Sequence, residues 1–154
     1  MQATRERLQF LLETVTKERR HLLLTKQRLF SEDVNAAWVA SLEERPDIAE
    51  RLDAFVARFG RLQDTLGDKL IPALLRHLLE NPGSNLDNLN RMEKLGLLSS
   101  VDDWIEARNL RNRLIHEYMN DPEEFAAALH RAHQLVGLLD DTYAKVTGYI
   151  QERI

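Results

Sequence analysis

Residues 122–150 read PEEFAAALHRAHQLVGLLDDTYAKVTGYI. Within them Phe125, Leu129, Ala132, Val136, Leu139, Tyr143, Val146 and Ile150 follow one another by alternating steps of four and three. Such steps keep side chains on one stripe of an α-helix at coiled-coil spacing, and a strand period of two does not produce them. Asp121, Pro122 and Glu124 supply an N-cap, a first-turn proline and an acidic N3 residue. Roughly 30 residues of helix span on the order of 45 Å at 1.5 Å per residue, more than a compact bundle of this size needs. The distal end of this helix is therefore expected to be available to a second protomer.

The same period runs upstream. Leu8, Leu11, Leu12, Val15, Leu22 and Leu29 predict one long helix from about Thr4 to Phe30, with Ser31 to Asp33 as a connection holding N-cap candidates. Val34 to Glu43 reads as a short helix carrying Trp38 and ending ahead of Pro46. Pro46 and Asp47 open a second long segment on Ile48, Leu52, Phe55, Phe59, Leu62, Leu66 and Leu70. Pro72 lacks an amide donor and crowds the carbonyl four residues back, which predicts a kink or break near Gly67 to Ile71. Residues 81–84, Asn-Pro-Gly-Ser, form the clearest turn. A short helix from about Leu86 to Leu95 follows, with Gly96 as its C-cap. Ser100, three residues ahead of Asp103, starts a helix through about Tyr118. The class is all-α: a single domain over residues 1–154, built as an up-and-down bundle of four or five main helices.

The composition agrees. Of 154 residues, 44% are hydrophobic and 30% charged, with 6 Gly and 4 Pro, which is globular and neither collagenous nor disordered. The absence of cysteine excludes disulfides, thiolate metal sites and cysteine nucleophiles, and a reducing compartment, the cytoplasm, is the expected home. No signal-peptide pattern and no membrane-spanning apolar run is legible, so no membrane partner is expected. The 25 acidic residues against 21 Lys and Arg give a formal net charge of -4. Any nucleic-acid site must then be a local basic patch working against the global field.

Residues 108–118, RNLRNRLIHEY, hold the chemistry. At about 100° per residue, Asn112 and His116 lie about 40° apart and Arg111 and Tyr118 about 20° apart on neighbouring stripes. A guanidinium, an amide, an imidazole and a phenol are thereby grouped. Imidazole is suited to moving protons at neutral pH and guanidinium to clamping phosphoryl oxygens, and neither needs a metal. Alone, Arg108, Arg111 and Arg113 read as a solvated last turn that complements the helix dipole, and His116 as a structural histidine. Four fixed positions together arise by chance in roughly one of several thousand chains of this length, and that tips the reading to a functional site.

The octapeptide at 111–118, RNRLIHEY, resembles the Rx4-6H signature of HEPN domains, in the RNxxxHxY form of the HepT-like and nucleotidyltransferase-substrate-binding branch. Trp104, seven residues ahead of Arg111, and the Leu-Gly-Leu-Leu at 95–98 are similar to that branch as well. The resemblance covers roughly Ile48 to Leu139. The helix at 4–30 serves as the family's first bundle helix and Val34 to Glu44 as an addition. It implies a homodimer with two facing motifs, acting as a metal-independent ribonuclease toxin on an RNA substrate, without a cofactor. It also implies a cognate minimal nucleotidyltransferase as antitoxin, which silences the toxin by adenylylating the motif tyrosine. Carried over, Arg111 stabilises the pentavalent phosphate, Asn112 positions, His116 is the general base or acid, and Tyr118 is the modified residue. Arg108 and Arg113 would bind RNA or nucleotide. Two other readings use the same residues: a non-catalytic subunit holding nucleotide or substrate for a partner nucleotidyltransferase, and a helical interaction module with a vestigial motif.

The remaining candidates read plainly. Trp104 is expected as a core anchor, not a base-stacking platform. His130 and His133 are spaced i, i+3 without a matching carboxylate nearer than Asp140, so no metal site is expected; they read as exposed, or as marginal contributors to an RNA groove. His21 and His77 have no companions. Lys17, Arg19 and Arg20 read as a wet face and Tyr143 as core or interface.

Overall fold

A computed structural model describes residues 2–116 and 121–153. The described residues form α1 (Gln2–Leu29), α2 (Ala36–Ala40) with a 3-10 turn (Ser41–Glu44), α3 (Pro46–Asp64) and a π turn (Thr65–Leu70). After these come α4 (Ile71–His77), α5 (Asn85–Lys94), α6 (Val101–His116) and α7 (Pro122–Arg153). Among the described residues there is no strand, and no helix is long and apolar enough to cross a membrane.

Side-chain contacts fix the directions of the long helices. Phe30 meets Phe55 edge-on at 5.5 Å and Arg58 bonds Thr25, while Thr65 lies by Glu18, so α3 runs antiparallel to α1. Thr16 shares a hydrogen bond of 2.9 Å with Tyr143, Arg19 pairs with Asp140, and the His133 ring packs on Phe30 with centroids 4.2 Å apart at a tilt of 41°; α7 is therefore also antiparallel to α1. Arg131 clamps Glu106 through two bonds of 2.7 and 2.8 Å and joins α7 to α6. One hydrophobic cluster runs from Leu8 on α1 to Ile150 on α7.

That cluster corrects the expectation about α7. Val146 and Ile150 are buried within the single chain, because α1, at 28 residues, nearly matches the 32 residues of α7. The length of the last helix therefore gives no argument for a second copy. Tyr143 and Arg19 are likewise corrected in part. The ring is only partly buried and lies under the Arg19 guanidinium at 5.0 Å, so this part of the basic face is packed against α7.

The predicted break at Pro72 is a π turn. The Ile71 amide donates to the Leu66 carbonyl five residues back, so the helix widens by one residue and continues where proline cannot supply the i, i+4 bond. The N-terminal caps are fuller than the sequence suggested. Asn35, not Ser31 to Asp33, caps α2 by accepting from the Trp38 amide at 2.9 Å. Ser84 and Asp87 form a complete capping box on α5, inside what reads as a turn. Ser100 accepts from the Asp103 amide at 3.1 Å as predicted, and Glu93 accepts from the Val101 amide at 2.8 Å.

Candidate functional site

The site is organised by the seam between α6 and the α3 to π segment. Trp104, fully buried, stands against Gly67: a Cβ added at Gly67 would lie 3.1 Å from the indole Cζ2. Gln63, also fully buried, donates through Nε2 to the Trp104 carbonyl at 2.8 Å. Trp104 is thus the core anchor expected of it. One turn on, Arg108 pairs with Asp68 at 3.0 Å, and in the next step Arg111 Nη1 donates to Asp64 Oδ2 at 2.8 Å.

Arg111 lies in a slot. A Cβ at Gly60 would stand 2.6 Å from its Nη1, so glycine at 60 leaves room for the guanidinium to cross α3 in this orientation and reach Asp64, and a larger residue would make the arginine shift. Its side chain is 23% exposed, and its Nε is buried with no partner. The guanidinium is therefore held in one orientation through Nη1, and an arginine fixed in this way is preorganised to meet an anion with whatever part of its fork stays accessible.

Asn112, Arg113 and His116 lie on the exposed side of α6. Arg111 and His116, five residues apart, differ by about 140° around the helix. A single chain therefore brings Asn112 and His116 onto one stripe but turns Arg111 toward α3. Tyr118 lies outside the described residues. Beside this stripe, the half-exposed Ile115 borders an apolar groove against Asp53, Val56 and Ala57 of α3.

Gly60, Asp64 and Asp68, which hold the two arginines, were not singled out from the sequence. The available signal was an isolated glycine inside a strong helical pattern, which usually marks a close approach, followed by acids at steps of four.

The histidine pair on α7 belongs elsewhere. His130 Nε2 meets the Val34 carbonyl and His133 packs on Phe30, so both fasten the α1–α2 connection and neither borders the α6 stripe. Burial, with Lys26 and His130 nearby, pushes the His133 imidazole below its ordinary range. Among the described residues no three acidic or histidine side chains stand together so as to hold a metal ion. Comparisons with protein-family models, curated proteins and solved structures find no match for this chain.

Proposed function

We propose that the chain is a metal-independent endoribonuclease of the HEPN type, the toxin of a pair whose antitoxin is a minimal nucleotidyltransferase. The observation that carries this reading is the Arg111 slot: a guanidinium seated over Gly60 and anchored by Asp64, on the helix that also exposes Asn112 and His116. In the reaction His116 takes the proton of a ribose 2′-hydroxyl and O2′ attacks the adjacent phosphorus. The bond to the 5′-oxygen breaks, that oxygen gains a proton, and a 2′,3′-cyclic phosphate and a 5′-hydroxyl remain. Arg111 offsets the charge that develops on the phosphoryl oxygens. The angle of about 140° between Arg111 and His116 supports a composite site, in which a second copy supplies the partner group across the exposed α6 face.

The test is expression of the chain beside His116→Ala, with growth and total RNA as readouts. Growth arrest and RNA fragments with 2′,3′-cyclic ends for the wild type alone are expected, and a chelator should leave the purified activity unchanged. Equal, harmless behaviour of both chains removes the ribonuclease reading and leaves the nucleotide-binding subunit and the helical interaction module.

A further inference from the structure

A polar cleft of about 400 Å³ opens between the first turns of α1, the π turn, α4 and the loop into α5. Its volume falls in the range of small-ligand sites. Arg7, Lys69 and Arg76 converge on it from three different elements. Among the described residues none of the three forms an ion pair with a carboxylate. The one acid in the lining, Asp68, is engaged by Arg108 at 3.0 Å, and Glu18 acts on Lys69 only through space. Three cations that face one cleft without a direct carboxylate partner repel one another, and an anion bound among them offsets that repulsion.

The π turn contributes Lys69 to this arrangement. Its extra residue widens the helix just where Asp68 meets α6 and the adjacent Lys69 lines the cleft, and such turns recur at functional sites. We propose that the cleft binds a polyphosphate anion, the triphosphate of a nucleotide or inorganic tripolyphosphate, held by Arg7, Lys69 and Arg76. Two arginines offer planar forks to neighbouring phosphoryl groups and the lysine adds a mobile point charge. An RNA strand fits less well: the cleft is compact, and no Phe, Tyr or Trp lines it to stack a base. The site is separate from the α6 stripe and does not depend on the ribonuclease reading.

Calorimetric titration of the full chain at low salt, with sodium tripolyphosphate, ATP, GTP and orthophosphate, tests the proposal. Tripolyphosphate and both nucleotides should bind and orthophosphate should bind at least about tenfold more weakly, with Arg76→Gln and Lys69→Gln each costing about tenfold. His116→Ala should bind like the wild type. Equal affinity of ATP and tripolyphosphate assigns recognition to the anion alone, whereas tighter ATP binding identifies a nucleotide as the source; both support the site. Because Lys69 and Arg76 are exposed, unchanged circular dichroism should accompany the loss, and Arg7→Gln gives an independent variant from another helix. No binding of any polyphosphate, orthophosphate binding as tight as tripolyphosphate, or undiminished binding by all three cation variants would overturn the proposal. So would loss of binding in His116→Ala alone.

Discussion

Arg111 shows how far one residue can be read. Its place in the octapeptide was legible because Asn112, His116 and Tyr118 stand at fixed local spacing. What holds it was not, because Gly60 and Asp64 lie on another helix and leave only the weak trace of a glycine in a helical run. Local periodicity also grouped all four motif side chains, whereas packing turned Arg111 toward α3 and left Asn112 and His116 outside. A direct consequence concerns Gly60. Gly60→Ala gains about 1 kcal/mol of helix propensity but places a methyl 2.6 Å from the present position of Nη1 and so displaces the guanidinium. Cleavage of RNA should fall by about a hundredfold while thermal stability changes little. Wild-type cleavage by a folded Gly60→Ala protein would remove the slot from the mechanism.

Among the elements, α4 and α5 end in the same way with different residues. At the end of α5, Gly96 has φ 76°, its amide donates to Glu93, and the Leu97 amide donates to Met92. At the end of α4, Leu79 has φ 62°, its amide donates to Arg76, and the Glu80 amide donates to Leu75. Both are Schellman closures. Gly96 was readable as a C-cap because glycine favours that backbone. Leu79 was not, since nothing in a leucine announces a left-handed conformation. Its side chain is 83% exposed, so its strain is not offset by burial. Leu79→Gly should therefore stabilise the protein by about 0.5–1 kcal/mol, the left-handed strain relieved less the entropy that glycine loses on folding. Urea denaturation reads the difference directly, and a destabilised Leu79→Gly would mean that the leucine has a partner elsewhere. The π turn was half legible in the same sense: Pro72 announced a disturbed ladder, but a break and a widened turn share that signal, and the packing of the segment against Trp104 on α6 has no trace in the local sequence.

For the whole molecule, the apolar stripes specified the class and the order of the long helices, because each buries its stripe against the others in one cluster. They did not specify what closes the bundle where α1 turns into α2, which is left to His130 and His133. His133 of α7 is half-buried against Phe30, with Lys26 and His130 as its charged and titratable neighbours, and burial first, then those two groups, depress its pKa. The folded protein therefore binds fewer protons there than the unfolded chain. Its contribution is complete above the ordinary imidazole value of about 6.5 and is lost as pH falls from there through the lower folded value. Glu32, Glu80 and Glu106, held below the usual carboxylate range by hydrogen bonds from arginines, lose their contributions only at more acidic pH. Glu18, raised by burial, acts in the opposite direction. Stability measured by urea denaturation should thus decline between neutral pH and pH 5, and His133→Leu, which keeps an apolar contact with Phe30 but carries no titrating group, should show a shallower decline. A slope identical in both proteins would place the titrating group elsewhere. The distinction matters for any pH profile of activity, because an acid limb that His133→Leu shifts belongs to the fold, whereas one that it leaves untouched comes from other groups, among which those exposed on α6 are tested by their own substitutions.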